Sequence, residues 1–442
     1  MFSQSLFQPK SGQFASYQKI WQLAWPMILA NISVPLLGFV DTAVIGHLPD
    51  PSFLAGTALA SLLITVSFWL CGFLRMSTTG LIAQALGRAD PKQVSRIFAQ
   101  GIGLAMALAC LFLILQGPLF SLLPFFTSNT SELDTVLVHA RTYFDIRIWA
   151  APMTLVSLVL TGYLIAKGQT KRVLIAVIGC NLINLFADII LVPVLDFGVA
   201  GLASASLLAE ASQLLILLSF NRSEFKSLTW RWQWLTQGLT RLFQLNFVLF
   251  CRSALLQLCL SFMTLYASRY GQTAIAVNAI LMQFFLFISF SMDGIAFALE
   301  SLVGKRFGAG QLRPTLVLIR RGLELALTLA LVYTLVYGLT FEIIISALTS
   351  IDKLQLALSD YLWCALLLPI MTFASFIYDG VFIGLGWVRQ MRNSMALAAA
   401  VFFVVVLIAQ LWGNMGLWFA FLCFMLSRGI SQHVYLKGLV EK

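Results

Sequence analysis

The sequence predicts an all-α integral membrane fold, with twelve transmembrane helices in two six-helix bundles related by a pseudo-twofold axis. Three observations carry this reading. Residues of the set AVILMFWYC make up 60% of the 442, while Asp, Glu, Lys and Arg together reach only 10%. That is too little charge to solvate the surface of a water-soluble protein of this size. The apolar residues fall in runs long enough to cross ~30 Å of hydrocarbon. The chain also resembles itself when one half is laid over the other.

The runs place spans at 20–46, 53–86, 93–120, 138–166, 173–195 and 198–220 in the first half. The second half repeats the count, with spans at 242–267, 273–306, 314–343, 358–386, 393–411 and 413–436. Met1 to Lys19 is polar and lacks the charged, apolar, small-residue succession of a cleavable signal peptide, so the first run is expected to remain as a helix. The segment Asn221 to Arg241 is basic and carries Trp230, Trp232 and Trp234. It reads as a linker at headgroup level, where indole rings settle. The expected organisation is therefore a lobe over 1–220, a linker over 221–241 and a second lobe over 242–442.

Net charge is +10, a balance that in a soluble protein points to nucleic acid. Its distribution points to topology instead. Assigning alternate loops to opposite sides puts Lys10, Lys19, Arg88, Lys167, Arg172, Arg241, Lys305, Arg306, Arg313, Arg320, Arg321, Arg392, Arg428 and Lys437 with the N-terminus. The opposite loops offer little beyond Arg269 and Lys353. This is the positive-inside pattern, so both termini are expected in the cytoplasm.

The repeat is visible at two offsets. At 221, Ala55, Gly87 and Gly101 fall on Ala276, Gly308 and Gly322; at 218, Tyr143, Thr154, Gly162 and Gly168 fall on Tyr361, Thr372, Gly380 and Gly386. Six helices per copy is an even number, so the copies enter from the same side and are parallel repeats. Two such halves usually enclose a cavity and rock against each other, which by analogy favours a transporter.

Ionisable residues inside hydrocarbon are expensive and call for a reason. Asp41 and Asp188 lie five and about seven residues before the outer ends of the first and fifth spans, roughly 8–11 Å below the outer surface. Asn181, Asn184 and Asp188 share one helical face at i, i+3, i+7. No basic residue is expected at that depth in this half. The carboxylates read either as a proton or cation site, since desolvation and mutual repulsion favour the protonated form, or as a hydrogen-bonded cluster tying the first and fifth helices together. In the second half Arg252 lies ~15 Å into the seventh span. Asp293 and Glu300 share a face of the eighth span, and Asp379 sits in the tenth. One arginine among three acids reads as a structural charge network. Glu210 and Glu324 have no evident partner. Candidate cavity or gating residues are Pro26, Met27, Leu37, Met153 and Ser206.

All seven cysteines fall in apolar spans without a CxxC pair and read as core residues, and His47, His139 and His433 are far apart. No metal site and no cofactor are expected. Absence of HExxH and GxSxG constellations argues against an intramembrane enzyme.

These residues resemble a known family. Pro26 followed by Asp41, with Asn184 and Asp188, looks like the multidrug and toxic compound extrusion (MATE) transporters. Asp293-Gly294-x-Ala296-x-Ala298-x-Glu300, with Asp379-Gly380-Val381-Phe382-Ile383-Gly384 and Met391-Arg392, looks like their DNA-damage-inducible F (DinF) branch. The resemblance implies a secondary antiporter in a bacterial inner membrane that expels cationic amphipathic compounds as cations run inward; a monomer is expected because one chain already contains both halves. Asp41 is then the proton-responsive group, Asn184 and Asp188 its partners, and Pro26 the site of a bend. Some relatives carry tyrosine where Leu37 stands, which leaves sodium as an alternative coupling ion. A lipid-linked precursor flippase is the rival transport reading, disfavoured by the acidic pair.

Overall fold

The computed structural model describes residues 12–46, 51–123, 133–222 and 239–440. Within them the side chains of 12–15, 36, 37, 39–46, 51, 133, 239, 241, 439 and 440 are left outside the description. The tryptophan-bearing linker and His47 fall outside the described residues.

The N-terminal half contains α1 (Gly12–Gly46), α2 (Pro51–Leu70), α3 (Phe73–Gly87), α4 (Pro91–Ile114), α5 (Leu133–Arg147), α6 (Ala151–Lys167), α7 (Thr170–Ile189) and α8 (Gly198–Phe220). The C-terminal half contains α9 (Leu239–Ala267), α10 (Gln272–Gly308), α11 (Leu312–Leu348), α12 (Leu362–Leu385), α13 (Val388–Ala409) and α14 (Gly413–Val440). The described residues contain no β-strand.

Two of the N-terminal passes are each made of two helices. α2 and α3 form one pass, Ser52–Gly87, broken at Cys71–Gly72 by tight turns that send the Gly72 N–H to the Trp69 carbonyl at 2.9 Å. α5 and α6 form another, Asp134–Lys167, broken by a single 3₁₀ turn, Ile148–Ala150, just ahead of Pro152. Proline lacks the N–H that would continue the ladder, so the helix restarts there. Among the described residues, counting each broken pair once gives twelve passes, in agreement with the spans read from sequence. α1 stays one helix across Pro26 and Pro35. Along α11, Leu331, Leu335, Leu339 and Ile343 are exposed at four-residue spacing, a stripe suited to lipid and not to water.

By contacts the chain groups into two compact units, Leu29–Asn246 and a second made of Met1–Ile28 with Phe247–Lys442. One boundary falls inside α1, whose residues up to Ile28 pack on α10, and the other falls at Asn246–Phe247, a few residues past the expected linker. A Cβ at Gly294 would meet the Ile28 N at 2.8 Å and the Ala24 carbonyl at 3.1 Å. Pro26 and Met27 are buried in this second unit.

The repeat read from sequence is a set of equivalent contacts. A Cβ at Gly162 on α6 would lie 2.7 Å from the Arg75 carbonyl of α3, and one at Gly380 on α12 would run into the Ala296 carbonyl of α10. Arg75 and Ala296 are themselves 221 apart. Gly101 lies against Thr78, and its counterpart Gly322 against Leu299, again 221 apart. Gly168 and Gly386 close α6 and α12 in left-handed conformation, at φ 81° and 73°. The turns from α3 to α4 and from α10 to α11 also match: Gly310 has φ 72°, and at the equivalent position Ala89 holds φ 55°. Only glycine takes that conformation without steric cost, so the N-terminal copy carries strain its partner lacks.

The two sequence motifs of the second half are in large part this packing seam. Gly380 and Gly384 give α12 a small-xxx-small face, and Gly384 sits 3.0 Å from the Glu300 carbonyl and 3.1 Å from the Gly304 N by the same measure. Close backbone approach of this kind is how membrane helices associate, since lipid offers no hydrophobic drive.

Candidate functional site

In the N-terminal unit, α7 turns its polar face inward. Asn184 and Asp188, one turn apart, are 1% and 0% exposed. Asn181, one turn earlier, donates from Nδ2 to Ser33 Oγ on α1 at 2.9 Å and reaches the Ser33 carbonyl at 3.3 Å. The Ser33 hydroxyl in turn donates to the Ala30 carbonyl at 2.7 Å. Neither the donor nor the acceptor of the Asn184 amide has a hydrogen-bond partner among the described residues.

From the Ser33–Asn181 contact, Asp41 lies eight residues further along α1 and Asp188 seven residues further along α7. First and fifth passes run in the same direction, so helical rise carries the two positions ~12 Å and ~10 Å beyond the contact, to nearly one level. The side chains of Asp41 and Leu37 lie outside the described residues. Immediately after Asp188, α7 loosens into a π-turn, Ile190–Val194, around Pro193, with Leu195 N donating to the Ile190 carbonyl at 3.0 Å. A proline that removes one ladder bond accounts for the wider turn. Ser206 on α8 is buried in the same unit and Met153 on α6 is partly exposed.

A second polar cluster in this unit supplies the partner of Glu210 that the sequence did not reveal. Arg147, at the end of α5, pairs through Nη2 with Glu210 Oε1 on α8 at 2.8 Å, and Thr154 of α6 donates to the other carboxylate oxygen. Glu210 is thus paired. Counting charges only in loops overlooked Arg147, although it stands nine residues inside the span 138–166.

In the C-terminal unit, Asp379 of α12 is the acceptor at the centre of the network. Arg252 of α9 and Arg428 of α14 both pair with its Oδ2, and Gln432 Nε2 donates to Oδ1 at 2.6 Å. The Arg428 side chain is 1% exposed and also lies over the Phe376 ring at 5.6 Å. Arg428, counted in the sequence only toward the charge of the N-terminal side, stands inside α14 and pairs with a carboxylate, so Arg252 is one of two arginines here. Glu300 is buried and Asp293 half-buried. Beside the network, Tyr378 shares a 2.6 Å hydrogen bond with His433 Nδ1. Glu324 also has partners: Arg320 and Arg321 at 2.9 Å each, and the Tyr17 hydroxyl of α1. α11 is 37 residues long, well beyond the ~20 a bilayer requires, so its first turns can reach the headgroups where those arginines are solvated.

Twelve helical passes with charged and amide clusters buried at hydrocarbon depth define a polytopic membrane protein of the transporter class. The MatE family model matches the chain twice, over residues 26–190 and 249–409, one match in each half. The chain belongs to this family, the multidrug and toxic compound extrusion transporters. It is 37% identical over 426 residues to DNA damage-inducible protein F of Escherichia coli, covering 94% of this chain and 91% of that one. It is 25% identical to the chloroplastic Protein DETOXIFICATION 44 of Arabidopsis thaliana, covering 96% of this chain and 83% of the relative. Among solved structures, a Vibrio cholerae MATE transporter, VcmN, crystallised as an aspartate-to-asparagine mutant, superposes with TM-score 0.88 at 20% identity over 98% of this chain and 99% of that one.

Proposed function

We infer that this chain is a proton-coupled antiporter that expels cationic amphipathic compounds from the cell by alternating access, with Asp41 and Asp188 as the coupling carboxylates. The observation that carries this reading is the inward polar face of α7: a fully buried Asp188, a buried Asn184 amide without a described partner, and Asn181 bonded to α1. That bond sets the register that brings Asp41 to the level of Asp188. Two carboxylates held at one depth in low dielectric repel when both are ionised, so one proton is taken up readily. With the pair ionised, a cationic drug is held by charge and apolar contact. Protonation cancels the attraction, bends α1 near Pro26 and releases the drug outward; deprotonation follows on the cytoplasmic side. Proton and drug need only prefer different states for this coupling to work. The Arg252–Asp379–Arg428 network, in which two arginines share one carboxylate, serves to brace the second unit. The membrane is the bacterial inner membrane, with both termini in the cytoplasm, and no bound cofactor takes part.

Ethidium transport in proteoliposomes under an imposed pH gradient, and separately under a sodium gradient, tests the reading. Wild type responding to the pH gradient and Asp41→Asn failing to do so is the expected result. A response to sodium alone replaces the coupling ion, and a fully active Asp41→Asn protein removes the mechanism.

A further inference from the structure

We propose that the C-terminal unit carries a binding site for an anionic phospholipid headgroup, in a cavity between the start of α1 and the α10–α11 turn. The cavity has a volume of about 670 Å³. Four basic side chains line it, Lys19 from α1, Lys305 and Arg306 from the end of α10, and Arg313 from the first turn of α11. Among the described residues no carboxylate lines it. Arg306 is fixed across the turn by donating to the Gln311 side chain at 2.6 Å, and Gly310, at φ 72°, lets the turn fold tightly enough for both helix ends to face the cavity.

Apart from Ser16 and Gln311 the rest of the lining is apolar and includes Leu302, Val317 and Leu318, of which Val317 is 45% exposed. A small inorganic anion has no use for such a wall. A lipid, whose phosphate meets the basic groups and whose glycerol and upper acyl chain meet the apolar ones, matches both parts of the lining. The depth also fits. The cavity lies where one pass ends and two begin, and next to it Arg321 stacks over the Tyr17 ring at 4.7 Å, an aromatic–basic pairing typical of the headgroup layer. Tyr17, Arg321 and Glu324 bond to one another there. A headgroup in this site would bridge α1 to α10 and α11, so its occupancy would stiffen the cytoplasmic end of the helix that carries Asp41.

Native mass spectrometry of the full chain tests this, with phosphatidylglycerol and phosphatidylcholine of identical acyl chains competing at equal concentration. Wild type should retain phosphatidylglycerol preferentially. Each basic residue near an anionic lipid contributes about a fivefold preference, so Lys305→Gln with Arg306→Gln and Arg313→Gln should cut that preference more than tenfold. Arg306→Lys with Arg313→Lys should keep most of it. Val317→Trp, which fills the apolar side without changing charge, should also reduce retention, and supplies the answer if the triple variant does not fold. Equal retention of the two lipids by wild type would overturn the proposal. So would displacement of phosphatidylglycerol by millimolar inorganic phosphate, which would make the cavity a small-anion site.

Discussion

The two halves of this protein share a scaffold and differ in what they bury inside it. Gly162 against Arg75 and Gly380 against Ala296 are the same contact made twice, as are Gly101 against Thr78 and Gly322 against Leu299. On that common frame the C-terminal half gathers its charges around one carboxylate, Asp379, with Arg252, Arg428 and Gln432 all directed at it. The N-terminal half separates its polar groups into an ion pair, Arg147–Glu210, and an amide–carboxylate face on α7. At the 218 offset Glu210 falls on Arg428, so the sign of the buried charge on the last helix is reversed between the copies. The scaffold sets where helices meet, and it leaves each half free to place charge for bracing or for titration.

Breaking the C-terminal network gives the largest expected effect. Asp379→Ala leaves two arginines buried without their shared partner, and uncompensated buried charge typically costs 3–5 kcal/mol. A large drop in melting temperature of the purified protein in detergent is expected, whereas Asp379→Asn, which keeps the shape, should fall less. An unchanged melting point for Asp379→Ala would mean the network is not a brace. Next come the paired glycines. Gly380→Ala and Gly162→Ala each force a methyl into a facing backbone carbonyl, and overpacking of this kind costs roughly 1–3 kcal/mol. Similar losses in both halves are expected; a loss in only one would show that the equivalence is geometric and not energetic.

The turns give a smaller effect of opposite sign in the two copies. Ala89→Gly relieves a left-handed alanine and should raise stability by up to about 1 kcal/mol, while Gly310→Ala should lower it by about 1–2 kcal/mol. Thermal melts of the two single variants check this. The smallest effect is expected for Asn181→Ala, which removes the hydrogen bond to Ser33. Interhelical hydrogen bonds in membranes average about 0.6 kcal/mol, so stability should shift little, and any sizeable change in transport would then report register and not folding.

Much of this organisation was legible in the sequence for physical reasons. Bilayer thickness fixes span length, so apolar runs located all twelve passes. The repeat could be read from glycines because Gly162, Gly380, Gly101 and Gly322 stand where helices touch and nothing larger fits. The clustering of Asn181, Asn184 and Asp188 followed from helical period alone. The charge pairing was less legible. Arg147 and Arg428 stand inside helices, and a count of charges by side of the membrane does not show that they pair with buried carboxylates. Glu210, expected at mid-depth without a partner, held the clue, since a buried carboxylate calls for a cation in its own half, and Arg147 was available. The division of α1 at Ile28 had no sequence signal, because it depends on Gly294 receiving Ile28, a contact between residues far apart in the chain.

In the proposed mechanism the N-terminal carboxylates couple transport while the C-terminal cluster braces the fold. The measurement that tests it most directly is proton-driven ethidium transport in proteoliposomes containing equal amounts of folded Asp188→Asn and Asp379→Asn protein. Asp188→Asn should melt like wild type and no longer respond to the pH gradient, and Asp379→Asn should melt lower yet still transport. A transporting Asp188→Asn protein beside a folded but inactive Asp379→Asn protein would contradict it and move the coupling site to the other half.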